Sequence, residues 1–462
     1  MMAHKEVKTI DRTRPPRPGP MGKVSFPKHY EKEYTNGFKL LVVENHALPL
    51  VTIAYVVRAG SSYDAGLPGL AGVMSELLTK GTRKRSATQI AEEIDFIGGS
   101  LSTSASWDRS QLHVTVLRNH LATGFDILQD LVLNSTFPDE EINRVKAQRL
   151  AGIRQMKADP GYLADTRFAR TVFGDHPYGN PSGGTEKSLT EMKRNDLVGY
   201  HKRFFSPDNS FIAFAGDISL PEAEKLVSRT FAKWKGKIKN VPIAPPDPYK
   251  ENGVVRIVDK PGAVQSSVRI GHVGLARKNP DFLKVMVMNT LLGGYFSSRI
   301  NMNLREVHGY TYGGRSTFDA RVHPGVFEIS ADVRNEVTGE TVDEVIKELD
   351  RICKTLPSRD EMTMVKNYLI GLFPIQLETP QQVAGRVADM VFFDLPRNYY
   401  KNYRENVAKI TARDIRAVAR KYIRPENLAI VLSGNSKEIA EKLRRFGRVE
   451  VFDAEGNSVS ES

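Results

Sequence analysis

"DLVGYHKRFFSPDNSFIAFAGDI" runs from Asp196 to Ile218, and "DIRAVARKYIRPENLAIVLSGNS" runs from Asp414 to Ser436. A constant offset of 218 residues lays Asp196 on Asp414, Phe204 on Tyr422 and Pro207 on Pro425. The same offset lays Asn209 on Asn427 and Gly216 on Gly434. Each copy reads as an amphipathic helix, a Pro-Asn turn and an apolar strand ending at glycine. One helix–turn–strand unit used twice implies a duplicated chain.

Echoes upstream keep the same order. Asn36-Gly37 and Asn252-Gly253 each precede an apolar strand, Leu77-Leu78 answers Leu291-Leu292, and Gly98-Gly99 answers Gly313-Gly314. The offset drifts between 214 and 218, as small loop insertions allow. Between the halves lies "KWKGKIKNVPIAPPDPYKENG", whose four prolines mark a linker. The organisation expected is an extended arm over 1–23, a first lobe over 24–234, a linker over 235–250, a second lobe over 251–452 and a polar tail over 453–462.

Periodicity gives both halves one plan. In the first, strands are expected at 38–44, 50–58, 100–106, 110–117 and 210–216. Helices are expected at 69–80, 87–97, 120–134, 139–158, 160–173 and 189–204. In the second, strands fall at 253–259, 265–273, 310–319, 325–333 and 428–434. Its helices fall at 281–293, 298–307, 338–354, 358–370, 380–393 and 411–422. Strands grouped with helices between and after them indicate an α+β fold: two homologous lobes, each a mainly antiparallel sheet backed by helices.

Composition narrows the function classes. At 462 residues, 40% hydrophobic and 26% charged, the chain can bury two sizeable cores, and no apolar run is long enough to cross a bilayer. No secretory h-region is visible, so the expected compartment is cytoplasmic, or extracytoplasmic if a leader has been trimmed. The net charge of +12 is dispersed without a nucleic-acid-binding signature, so no nucleic-acid partner is expected. A single cysteine, Cys353, excludes a disulfide framework and any multi-cysteine zinc site. The ten histidines include no pair three or four residues apart, so no helix carries two of them on one face.

With these elements in place, particular blocks become informative. "AGSSYDAGLPGLAGVMSELLTKGT" (59–82), "DHPYGNPSGGTEKSL" and "FSPDNSFIAFAGDI" stand in the first half. "KPGAVQSSVRIG" and "NTLLGGYFSSRINMNLREVHGYTYG" stand in the second. From Phe38 to Gly434 the chain resembles the pitrilysin/insulinase family of inverted zinc peptidases. It is most similar to the short-chain branch that includes the mitochondrial processing peptidase and two-subunit bacterial relatives. The resemblance implies two chains closing like clamshells around a chamber.

Active members of that family carry His-x-x-Glu-His in the first-half helix. Two histidines at i and i+4 bind zinc from one face, and the glutamate between them holds a water as general base. Here the frame set by Gly69-Leu70-Ala71 and Lys80-Gly81-Thr82 reads Gly72-Val73-Met74-Ser75-Glu76. Both histidines are replaced, Ser75 stands at the catalytic glutamate, and Glu76 stands at the second histidine. The helix expected to supply a third ligand around 143–152 shows Asn143, Val145, Gln148 and Gly152. The expectation is therefore no catalytic residue at Gly72, Ser75 or Glu76, no metal in this chain, and zinc in a partner subunit.

The second half keeps Arg305 and Tyr312 at the spacing of the family's arginine–tyrosine pair. In related two-chain peptidases that pair sits in the non-zinc subunit and faces the partner's zinc. A guanidinium and a phenol donate hydrogen bonds suited to substrate carbonyls. Without the resemblance, Arg305 reads as a helix C-terminal cation and Tyr312 as a strand residue. Tyr310 is a secondary candidate, two residues before Tyr312 and so on the same side of a strand. Gly293 and Gly294 read either as a helix C-cap or as a flexible glycine loop near the substrate entrance.

The function these readings imply is the non-catalytic, substrate-binding subunit of a heterodimeric zinc metallopeptidase acting on unfolded peptides. Two alternatives remain open: a pseudopeptidase binding or scaffold protein with no proteolytic role, and an active homodimeric metalloendopeptidase with a substituted site.

Overall fold

The segment "LVTIAYVV" alternates nothing: apolar or small side chains occupy both parities, which a sheet covered on one face does not require. In the computed structural model every one of its residues except Leu50 is buried, because helices cover the sheet on both sides. The structure describes residues 24–238 and 242–459 together with Thr13 and Gly22. The expected N-terminal arm over 1–23 thus lies almost wholly outside the described residues.

The first sheet holds β1 (Tyr30–Glu33), β2 (Lys39–Glu44), β3 (Leu50–Val57), β4 (Ser100–Ala105), β5 (Ser110–Leu117) and β6 (Ser210–Gly216), ordered β1-β2-β6-β3-β5-β4. The second holds β7 (Val254–Asp259), β8 (Gln265–Val273), β9 (Thr311–Asp319), β10 (Val326–Arg334), β11 (Ala429–Gly434) and β12 (Arg448–Phe452). Its order is β12-β7-β11-β8-β10-β9. Five strands of each sheet occupy equivalent places, which is the duplication seen in the sequence. Only the outermost strand differs. β1 comes from before the repeat and runs antiparallel to β2, whereas β12 comes from after it and runs parallel to β7. Besides β12–β7, only β2–β6 and β7–β11 are parallel pairs, so both sheets are mainly antiparallel.

One face of the first sheet packs under helices Leu70–Leu77, Leu121–Asn134 and Arg194–Phe204 in a core that includes Ile53, Tyr55, Leu77, Phe125 and Phe214. Its other face is covered from the opposite half. Helix Pro380–Phe392 lays Val383, Val387 and Met390 against Val43, Val56 and Phe211. Reciprocally, first-half helix Pro160–Phe173 lays Phe168 and Val172 against Ala429 and Val431 of β11. Each exchanged helix is pinned by an arginine of the sheet it covers. Arg58, just after β3, donates to the carbonyls of Phe392 (2.7 Å) and Val391 (2.6 Å), at the negative end of that helix. Arg269 of β8 meets Asp165 at 2.5 Å. Arg109 adds a 2.6 Å ion pair to Asp389.

Several local expectations are corrected. The helix expected over 189–204 is two, Glu186–Glu191 and Arg194–Phe204, separated where Met192 and Lys193 adopt extended backbone and Asp196 bonds back to the Lys193 amide. The helix over 281–293 ends as an α-helix at Asn289 and widens into a π-helical turn, Thr290–Gly294. The helix over 298–307 is a short α-turn, Arg299–Asn301, followed by a second π-helical stretch, Met302–Val307. The polar tail folds back, with Ser458 bridging to Phe452 and the Val459 amide donating to the Val451 carbonyl at 2.8 Å. No described helix is long and apolar enough to cross a membrane.

Candidate functional site

Helix Leu70–Leu77 is retained for packing reasons that any sequence in this fold must meet. Leu70, Ala71, Val73, Met74 and Leu77 are buried in the first core. Its start is held from upstream: the Asp64 carboxylate accepts from the amides of Gly69 (2.7 Å) and Ala71 (2.8 Å), filling the role of a capping side chain. Burial pushes the Asp64 carboxyl up to about 7, against the lowering effect of those amides. Gly69 has φ of 90°, and a Cβ there would sit 2.7 Å from the Gly184 Cα. The Ser182–Gly184 loop therefore lies directly on the helix start, and Ser188 donates to the Pro68 carbonyl at 2.7 Å. The block "YGNPSGGTEKSL" is thus part of the wall around this helix.

On the face that carries positions 72 and 76 stands one side chain the sequence reading passed over. Arg149, from helix Asp139–Met156, donates Nε to Glu76 Oε2 at 2.9 Å. Its guanidinium also lies over Gly72, where a Cβ would come within 3.0 Å of Nη1 and 3.5 Å of Nη2. Residues four apart on a helix converge on one point in front of it. Here that point is filled by a guanidinium. Ser75, at the third position of interest, is buried and its Oγ has no hydrogen-bond partner.

A zinc ion does not fit these residues. Gly72 offers no donor, Ser75 is enclosed, and Glu76 is engaged by a cation that a metal would have to displace. Among the described residues no group of three or more His, Cys, Asp or Glu is placed to hold a metal. The signal that could have found Arg149 was charge. A lone carboxylate at 76 needs a counter-charge, and Arg149 stands at the expected sequence distance on the expected helix.

The second-lobe candidates sit where the two π-helical turns meet edge strand β9. Such turns widen a helix and recur at functional positions. Arg305 lies on the second of them, with its guanidinium 4.8 Å from the Phe296 ring centroid and Nε 3.4 Å from Glu306. Tyr312 is on β9 and is 91% exposed, the most exposed aromatic in the described chain. Phe296, Met302 and Val307 are exposed too, so Arg305 and Tyr312 belong to a surface with unusual apolar character. The buried Asn301 ties the pieces together, donating to the Phe296 carbonyl (2.7 Å) and accepting from the Gly314 amide (3.1 Å).

Tyr310 does not share Tyr312's orientation. The strand begins only at Thr311, and the pairing slips beside Asp332, whose carbonyl accepts from Thr311 Oγ1. Tyr310 instead stacks on His308 and packs toward the second core. Gly293 and Gly294 form neither a simple C-cap nor an open loop. They end the first π-helical turn, and a Cβ on Gly293 would meet the Ser316 amide at 2.3 Å. Gly293 is there so that the turn can press against β9; Gly294 is exposed beside it.

A cavity of about 470 Å³ lies between the lobes, with the Ser182–Gly184 loop on one wall and Thr317, Asp319 and Glu328 of the second sheet on the other. Burial raises the Glu328 carboxyl to about 7 despite Arg269 nearby, a group the sequence reading did not single out.

Comparison with known proteins agrees with this architecture. Residues 39–186 match the model of insulinase, peptidase family M16, and residues 191–369 match that of the peptidase M16 inactive domain. An uncharacterized zinc protease of Streptomyces coelicolor is 26% identical over 359 residues, covering 77% of this chain and 78% of that one. The non-peptidase homolog YmxG of Helicobacter pylori is 23% identical over 401 residues, covering 86% and 91%. The crystal structure of a peptidase M16 inactive domain from Pseudomonas fluorescens superposes with a TM-score of 0.84 at 26% identity, covering 88% of this chain and 98% of that one. The chain belongs to the insulinase family of peptidases, M16.

Proposed function

We propose that this family member is the non-catalytic, substrate-binding subunit of a heterodimeric zinc metallopeptidase that acts on unfolded peptides. The observation that carries the reading is the contrast between its two lobes. In the first, the metal-binding face is filled by the Arg149–Glu76 pair. In the second, the exposed Tyr312 and the half-buried Arg305 lie on a surface that no other described residue covers.

On this reading a homologous partner supplies His-x-x-Glu-His, zinc and the activated water, and this chain binds no metal of its own. Arg305 and Tyr312 donate hydrogen bonds to carbonyls of an extended peptide beside the bond being cut. β9 is a sheet edge, but its Gly314 amide and Ser316 carbonyl are bonded to Asn301 and Asn289, so an extended peptide would pair with the stretch beside Tyr312 rather than along the whole strand. The test is reconstitution with a zinc-motif homologue. Loss of hydrolysis in Arg305→Ala or Tyr312→Phe, with assembly intact, supports the assignment, and unchanged hydrolysis removes it.

The non-peptidase relative favours a second reading, a binding protein with no part in proteolysis. It predicts that no homologue gains activity on mixing.

A further inference from the structure

Helix Arg194–Phe204, the segment around Asn134–Phe137, Arg83 and the start of the linker enclose a cleft of about 530 Å³. Five cationic side chains line it: Arg83, Arg194, Lys202, Lys235 and Lys237. No aspartate or glutamate lines it, although the chain carries 54 of them. Elsewhere clustered cations are neutralised by nearby carboxylates, as Arg85 is by Glu93, Asp126 and Asp130. None of the five has such an ion pair among the described residues.

The cleft is also shaped. Arg194 is fixed by its Nε donating to the Phe137 carbonyl (2.9 Å) and an Nη donating to the Thr136 carbonyl (2.8 Å), so its charge is held in place at the exposed rim of the cleft. Phe137 and Phe205 supply an apolar floor, and Trp234 lines the side formed by the linker. The His201 ring, also in the lining, adds no charge at neutral pH. Burial lowers it to about 4, and Nε2 contacts the Val132 carbonyl at 3.0 Å.

Convergent cations in a concave, partly apolar recess raise the local concentration of anions and bind them by charge-assisted hydrogen bonds. We propose that this cleft is a binding site for a compact polyanion carrying two or more phosphates. The recess is concave and of small-molecule size, which suits a free polyphosphate or the phosphates of a nucleotide better than a membrane or a nucleic-acid strand. A bound anion would contact both helix Arg194–Phe204 and the segment Trp234–Lys237. This proposal is independent of the partner-subunit reading.

Only two tryptophans are present, so Trp234 reports directly on the cleft in a Trp107→Phe background. The full chain is titrated with pyrophosphate, tripolyphosphate, ATP, citrate and a short single-stranded oligonucleotide, following Trp234 fluorescence and heat. The expected result is saturable binding of tripolyphosphate or ATP, tighter than citrate, weakened about tenfold or more by the triple variant Lys202→Glu, Lys235→Glu, Lys237→Glu. If that variant fails to fold, the corresponding triple glutamine variant is expected to weaken binding in the same direction. ATP and tripolyphosphate binding equally points to phosphate alone, and tighter ATP binding adds recognition of the base. No binding at millimolar concentration, binding unchanged in the variants, or tighter binding of the oligonucleotide through the same residues each overturns the proposal.

Discussion

Reversing the charges of the Arg149–Glu76 pair tests the claim that a guanidinium has taken over the face where a metal would bind. Arg149 Nε and Glu76 Oε2 are 2.9 Å apart, and their side chains are 25% and 36% exposed. At a charge separation of about 4 Å the Coulomb attraction lies between about 1 kcal/mol in water and about 4 kcal/mol at the effective dielectric of a protein surface. Partial exposure and solvent screening bring the net value to about 1 kcal/mol. Arg149→Glu places two carboxylates together and Glu76→Arg two cations, so each single reversal costs roughly 1–2 kcal/mol. The double reversal, Arg149→Glu with Glu76→Arg, recovers most of that loss. A chain of two lobes need not unfold in one step, so the measurement is native-state hydrogen exchange at the amides of Val73 to Leu77. Faster exchange in both single variants and near wild-type exchange in the double is the expected pattern. Losses that simply add in the double variant would refute the reasoning, since Arg149 and Glu76 would then not be partners.

Other consequences can be measured separately. Tyr312 is exposed and Arg305 is half-buried against the exposed Phe296, so in Arg305→Ala and Tyr312→Phe thermal stability stays within about 1 kcal/mol of wild type while hydrolysis by the reconstituted pair falls by about tenfold or more. Gly293→Ala forces a methyl into the Ser316 backbone and costs about 2–4 kcal/mol, read as a lowered midpoint in thermal unfolding. His201 and His272 are both buried, and burial lowers each to about 4. The unfolded chain takes up a proton near pH 6.5 and the folded chain does not. Stability is therefore full above that pH and declines as pH falls from about 6.5 to 4, by about 3 kcal/mol for each histidine at most. His201→Gln should flatten the acid side of the stability profile, and an unchanged profile would show that the ring is protonated in the folded state.

Much of this fold can be read in the chain because the repeat fixes which segments are equivalent. The strands "FKLLVVE" and "LVTIAYVVR" are continuous apolar runs, and such runs mark a sheet covered on both faces. What periodicity cannot reveal is which helix does the covering. Pro160–Phe173 and Pro380–Phe392 have ordinary amphipathic patterns, and nothing local in either shows that it packs on the other half's sheet. The outermost strands were also invisible. Tyr30–Glu33 is charged at three of its four positions, and Arg448–Phe452 alternates charged and apolar residues only from Arg448 to Val451. Helices Leu220–Arg229 and Ser436–Leu443 follow the repeated glycine-ended strand in both copies, and extending the repeat comparison past Gly216 and Gly434 would have exposed them.

The candidate site was legible to different depths. The loss of ligand residues at Gly72, Ser75 and Glu76 is a matter of residue identity and is plain in the sequence. Its replacement by Arg149 depends on two helices meeting, with residues 73 positions apart in contact. The same limit misplaced Tyr310. Alternation assumes an unbroken strand, and β9 begins one residue later with a slip in its register. The π-helical turns around Arg305 carry no signal in hydrophobic spacing, since an inserted residue is absorbed by the wider turn.

The most direct test of the central claim is hydrolysis of an unfolded peptide, with bound zinc quantified, for this chain alone, for a homologue bearing His-x-x-Glu-His, and for the two together. The account predicts no activity and no stoichiometric zinc in this chain alone, and activity in the mixture well above that of the homologue by itself. Hydrolysis with stoichiometric zinc in the isolated chain would contradict it.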